Sequence, residues 1–233
     1  MIDDRVAIDA GTLAHAATDE IRSKLRDVVL THAHLDHIAG LPLFLDDLFA
    51  SLESPLRLHA SSDVIEILER DIFNWSVYPC FSALTNGHGK VLEYVPMTVN
   101  SSASVAHLQI TPINVNHKVP TSGFIISDGQ TVIALTGDTA EVGEFWDAVN
   151  GLDRLDALLI ECAFPDEMAE LAKVSHHLTP QLLKNELGKF LKTDCPIFVV
   201  NIKPTYRERV IHEIDELSIR NLSILEVGKT YEW

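Results

Sequence analysis

Short apolar runs alternate with segments of helical period along most of this chain. Val6-Ala7-Ile8 reads as a strand running into Asp9-Ala10-Gly11, and Val28-Val29-Leu30 as a buried strand that delivers the chain to Thr31. Thr18 to Arg26, between them, has helical character. A helix is expected over Leu41–Leu52 and a strand at Leu56–His59. Another helix follows, capped by Ser62, with Val64, Ile65, Leu68 and Ile72 as its apolar face. From Val91 the pattern shortens to strands at Val91–Val95, Val105–Val115 and Gly123–Ser127, and Asp128-Gly129 turns the chain into Thr131–Leu135. A helix at Glu141–Val149 and a strand at Ala157–Ile160 follow. Thr179 as N-cap and Pro180 at the first helical position open another helix, with a stripe of Leu182, Leu183, Leu187, Phe190 and Leu191. Ile197–Val200 (strand), Tyr206–Leu217 (helix) and Leu222–Val227 (strand) close the order. With no repeat, low-complexity stretch or linker, one mixed α/β domain over residues 1–233 is expected.

Composition narrows the function. Among 233 residues, 18 Lys+Arg face 34 Asp+Glu, a formal charge of −16 spread along the chain. Such a chain gains little from counterion release, so no nucleic-acid partner is expected. No apolar run reaches the roughly 18–20 residues that span a bilayer. Met1-Ile2-Asp3-Asp4-Arg5 has acids where a signal peptide needs a basic segment, so the expected compartment is the cytoplasm. Cys80, Cys162 and Cys195 have the spacing of neither a disulfide framework nor a thiolate zinc site.

Histidine carries the chemistry. Thr31-His32-Ala33-His34-Leu35-Asp36-His37 follows a buried strand and precedes Ile38-Ala39-Gly40. In a strand-like entry His32 and His34 point to one side, and as the chain bends into a helix Asp36 and His37 turn toward a second point. That arrangement suits two metal ions. Imidazole with carboxylate favours zinc, with Mn or Fe admissible. Farther along, His117 stands where a strand runs out and Asp138 follows another. Taken alone, His117 reads more often as a surface or hydrogen-bonded histidine, and Asp138 as a helix N-cap.

Together these stretches resemble a family. His32-x-His34-x-Asp36-His37, then His117, then Gly137-Asp138-Thr139, is similar to the ordered ligand set of the metallo-β-lactamase superfamily. Within it the chain looks most like class II 3′,5′-cyclic-nucleotide phosphodiesterases. The supporting stretches are Phe73-Asn74-Trp75, Val115-Asn116-His117, Glu161-Cys162-Ala163-Phe164-Pro165, His177-Leu178-Thr179-Pro180 and Ile202-Lys203-Pro204. The resemblance implies a four-layer αββα sandwich and one metal on His32, His34 and His117. It puts a second metal on Asp36 and His37, with Asp138 bridging the two. It implies metal-dependent opening of a cyclic nucleotide such as cAMP to the 5′-monophosphate. Zinc would fill the first site, and Mn, Fe or Mg is admissible at the second. The partner is then a small-molecule nucleotide, with no membrane, and a homodimer is allowed.

Two departures stand out. The family usually places a further ligand histidine before the Ile-Lys-Pro stretch, where this chain has Asn201, so Asn201 is a candidate weak ligand. The chain also begins almost on the second strand of the superfamily pattern. Either the first strand is absent or the start lies upstream. Asp36 and His177 are the candidate catalytic residues, His177 as proton donor to a leaving alkoxide. Glu161 is a candidate partner for an imidazole, and Lys203 a candidate phosphate clamp. Phe73, Trp75, Tyr78 and Phe81 could stack on a purine or simply pack. Rival readings are an RNA-processing nuclease, a lactone or thioester hydrolase, and a non-catalytic nucleotide-binding homologue.

Overall fold

The structure is a computed structural model describing residues 1–233, which gather into two compact units, 1–107 and 108–233. In the first unit, strands Val6–Ile8, Asp27–Val29, Leu56–Ala60 and Leu92–Pro96 lie side by side in that order, all parallel. A parallel sheet covered on both faces needs apolar residues at successive positions, and Val28, Val29 and Leu30 are all buried. The helix Asp19–Lys24 begins where expected. Thr18 accepts a hydrogen bond from the Ile21 N–H, with Asp19 and Glu20 in the first turn and Arg22 and Lys24 in the last.

Some expected boundaries move. Ser61, not Ser62, caps the helix Ser62–Ile67, because its extended backbone lets Oγ reach the Val64 N–H at 3.3 Å. That helix continues as a π turn over Leu68–Ile72. The helix at Leu41–Leu52 is observed as Gly40–Leu48. Phe73 and Phe81 are buried with ring centroids 5.9 Å apart, and Tyr78 packs on Phe81. Of the four loop aromatics only Trp75 is largely in solvent, 64% exposed.

In the second unit the strands follow in the order Leu222–Ile224, Ile197–Val200, Ala157–Glu161, Val132–Leu135, Ser122–Ser127 and Leu108–Asn114. The first four are parallel, and Ser122–Ser127 runs antiparallel to both of its neighbours. Leu108–Asn114, Val132–Leu135, Ala157–Glu161 and Ile197–Val200 therefore share one direction. Their C-terminal ends deliver His117, Asp138, Glu161 and Asn201 to one edge of this sheet, where sites of such folds collect.

The strand expected over Val105–Val115 is broken at Ala106, whose φ of +53° turns the chain. The helix expected from Glu141 starts at Glu144, because the Ala140 N–H and the Glu141 carbonyl are committed to Asn116. Thr179 stands at the N-cap position without a side-chain cap bond, and Pro180 is the first helical residue as expected. That helix stops at Leu187, leaving Leu191 exposed while Phe190 packs on Trp146. A helix at Ala169–Ser175 is additional to the sequence reading. No helix is long and apolar enough to cross a membrane.

Two predictions follow from the first unit. A Cβ on Gly11 would sit 1.7 Å from the Asp36 carbonyl oxygen, a backbone atom that cannot yield cheaply. Gly11→Ala is expected to cost about 2–3 kcal/mol, read as a lowered thermal midpoint. Gly87→Ala, with nothing within 4 Å of its Cβ, should leave the midpoint unchanged.

Asp27 is 2% exposed and accepts from His59 Nε2 and Arg57 Nε, both at 2.7 Å. Burial pushes its carboxyl up, but the hydrogen bonds and charges of His59 and Arg57 outweigh that and hold it below the usual range. A depressed folded value contributes stability above the unfolded value of about 4, lost as pH falls through the folded one. Asp27→Asn should cost about 2–3 kcal/mol at neutral pH, discounted because Arg57 is partly in solvent. It should also flatten the acid limb of a stability–pH curve; an unchanged limb would place the acid sensitivity elsewhere.

Candidate metal centre

The first unit ties its histidines to one carboxylate. Asp9 ends the first strand with a left-handed φ of +58°. Its carboxylate accepts the Thr31 N–H at 2.8 Å, the Thr31 hydroxyl at 2.9 Å and His37 Nδ1–H at 2.6 Å. Thr31 has one hydroxyl hydrogen, and with that given to Asp9 its oxygen accepts from His32 Nδ1–H at 2.9 Å. Both His32 and His37 then carry their hydrogen on Nδ1 and a lone pair on Nε2.

His32 Nε2 lies 3.0 Å from His34 Nδ1. Two nitrogens bound to one tetrahedral zinc, each at about 2.0–2.1 Å, stand roughly 3.3 Å apart, so the pair fits one cation. The His37 ring is 4.1 Å from His32, centroid to centroid. Asp36 lies exposed in the first turn of Leu35–Ile38.

The second unit repeats the device with other partners. His117 Nδ1–H donates to the His176 carbonyl at 3.0 Å, leaving Nε2 as acceptor. Asp138, 2% exposed, accepts from Asn201 Nδ2 at 2.6 Å. Glu161 is fully buried and accepts from His177 Nδ1 at 2.7 Å and from the Thr139 and Leu178 N–H groups at 2.8 and 3.2 Å. Burial favours neutral His177, but Glu161 outweighs it by hydrogen bond and charge, with Asp138 adding to its effect, and holds this imidazole above its usual range. Lys203 opposes that shift. One ligand atom each from His117, Asp138 and His177 lie within 4.8 Å of one another. The donor set suits a divalent cation in both units.

The structure thus gathers His32, His34 and His37 in one unit, and His117, Asp138 and His177 in the other. Glu161 steadies His177 rather than one of the expected ligand imidazoles, and Asn201 meets Asp138 through its amide hydrogens. Asp9, Thr31, Asn116 and His176, which hydrogen-bond to the candidate ligands or to their supports, were not singled out by sequence reasoning. For Asp9 a signal existed, an acid directly after a short strand in Asp9-Ala10-Gly11. For the His176 carbonyl there was none.

Comparison with known proteins identifies the fold and the family. The family model of the β-lactamase superfamily domain matches residues 4–193. A probable 3′,5′-cyclic-nucleotide phosphodiesterase of Yersinia pestis is 28% identical over 212 residues, covering 80% of this chain and 60% of that protein. The chain thus spans about six-tenths of that relative's length. The crystal structure of unliganded yeast PDE1 superposes with a TM-score of 0.77 at 21% identity, covering 91% of this chain and 70% of that one. Zn²⁺-bound PqqB from Methylobacterium extorquens gives a TM-score of 0.67 at 18% identity, over 99% and 84%. Both likenesses show the fold. With the family match running through most of its length, this chain belongs to the β-lactamase superfamily domain family and has the metallo-β-lactamase fold.

Proposed function

We propose that the chain is a metal-dependent phosphodiesterase that opens a 3′,5′-cyclic nucleotide, such as cAMP, to its 5′-monophosphate. The observation that carries the reading is the pre-set acceptor state of His32, His37 and His117, in a chain similar to a probable enzyme of that name. In this reading, as the resemblance implies, His32, His34 and His117 would hold one ion and Asp36 and His37 a second, with Asp138 serving as a ligand to both. Zinc at the first position is supported by its nitrogen-rich donors and by the zinc of the structurally similar PqqB. When bound, such ions acidify water toward neutrality and offset charge on phosphoryl oxygens.

The chain's own residues do the rest. Asn201 fixes one oxygen of Asp138, so that carboxylate does not swing. Glu161 holds the His177 Nδ1–H and favours the charged ring, so that Nε2 carries a proton to give to the departing 3′-oxygen. Lys203, half-buried near His177, supplies a positive charge for a phosphate oxygen. A small anion suits a chain of net charge −16 better than a polyanion does.

The purified protein is expected to hydrolyse cAMP and bis(p-nitrophenyl) phosphate, and to lose both activities to a chelator. His32→Ala should fall to background on both, while His88→Ala, at an exposed hairpin position, should match the parent. Activity that survives chelation would overturn the reading.

His177→Ala should slow cAMP cleavage by roughly 10²–10⁴-fold, because a ribose alkoxide leaves poorly without a proton. Cleavage of the nitrophenyl ester, whose leaving group needs none, should change far less. Equal losses on both substrates would remove His177 from the proton-donor role.

A further inference from the structure

Three residues of the two clusters have left-handed backbone: Asp9 at φ +58°, His176 at +57° and Asn201 at +55°. Each makes a hydrogen bond to a candidate ligand or its support. Asp9 holds His37 and Thr31, His176 holds His117, and Asn201 holds Asp138. Asp, Asn and His are the non-glycine residues found most often in this conformation, and of the three only His176 stands where a helix stops. His176 is therefore the informative one.

His176 follows the helix Ala169–Ser175 at a position where glycine is the ordinary way to stop a helix. A histidine there costs backbone strain that the surroundings must hold in place. Asn116 is the holder. Its Oδ1 lies 3.0 Å from His176 Nδ1, and its Nδ2–H₂ donates to the Glu141 carbonyl at 2.8 Å. Its own N–H meets Thr139 Oγ1 at 3.1 Å, and its carbonyl accepts from the Ala140 N–H at 2.7 Å. Asn116 thereby joins the segment after Asp138 to the turn that carries His176 and His177, and it immediately precedes His117. With His176 latched in this way, its carbonyl faces His117 Nδ1 at 3.0 Å.

We propose that His176 is a positioning residue. Its left-handed backbone, latched by Asn116, fixes the tautomer and orientation of His117 before any ion arrives. The inference rests on the metal-binding reading above. A helix stop alone would need neither the imidazole nor Asn116, so the two roles separate by experiment.

Three full-chain variants test it: His176→Gly, Asn116→Ala and Asn116→Asp. The readouts are the thermal midpoint of chelator-stripped protein, Zn²⁺ affinity by competition with a chromophoric chelator, and the visible spectrum of the Co²⁺-loaded chain. His176→Gly is expected to keep or raise the midpoint, since glycine is at ease in that conformation, yet to weaken Zn²⁺ binding by roughly 10- to 100-fold. Asn116→Ala should weaken binding similarly and alter the Co²⁺ spectrum. Asn116→Asp keeps the acceptor for His176 but loses the donor to the Glu141 carbonyl, so it should lower the midpoint yet bind Zn²⁺ within a few-fold of the parent.

Variants that bind Zn²⁺ like the parent, or lose affinity only in step with the midpoint, overturn the inference while leaving the metal reading intact. A parent chain that takes up no ion overturns both. Should His176→Gly fail to fold, the Asn116 pair decides: weak Ala with tight Asp supports the latch, and any other pairing overturns it.

Discussion

A neutral imidazole offers one lone pair, and the hydrogen bond made by its other nitrogen decides which nitrogen carries it and where it points. His32 and His37 both answer to Asp9, one through the Thr31 hydroxyl and one directly. This requires the strand ending at Asp9 to lie beside the strand leading to Thr31, and the register Ile8 opposite Val29 provides it. Strands of three residues suffice, because their work is to bring two ends together. His117 answers to a carbonyl at the end of the helix Ala169–Ser175, and His177 to a buried carboxylate that the strand Ala157–Glu161 delivers.

Charge follows the same logic. The clusters hold half-buried Asp9 and the buried Asp138 and Glu161 close to imidazoles. Such acids need donors, and each finds them: the Thr31 N–H and hydroxyl, the Asn201 amide, the Thr139 and Leu178 N–H groups. What the clusters present outward is then mostly acceptor. An acidic protein can still attract an anionic substrate this way, because a divalent ion sets the local sign whatever the sum over the surface.

Most strands and the His-rich cluster were legible because each is written locally, whereas His117 and Asp138 stood out only through the family resemblance. A run such as Val28-Val29-Leu30 announces burial, and His32-x-His34-x-Asp36-His37 announces chemistry. The supporting residues were not legible, because their partners are distant in sequence. Asp9 meets His37, and Asn116 meets His176, only once the chain has turned back on itself. Helix ends failed for a related reason. Ser61 and Ser62 are equally good caps by residue type, and backbone angle alone chooses between them. Glu141 is a fine first-turn residue, but its carbonyl is taken by Asn116.

The hairpin at Asp128-Gly129 joins strands Ser122–Ser127 and Val132–Leu135 at the end of their sheet from which no candidate ligand emerges. Asp128 and Ser127 close that turn: Asp128 Oδ1 accepts from the Gln130 and Thr131 N–H groups, Ser127 Oγ accepts from the Gly129 N–H, and Gly129 takes the positive φ. The tip is thus locally self-sufficient and owes nothing to the chemistry at the other end of the same strands. It is the natural place to splice in a reporter domain or open new termini, so that binding at one end of the sheet can be followed by a label at the other.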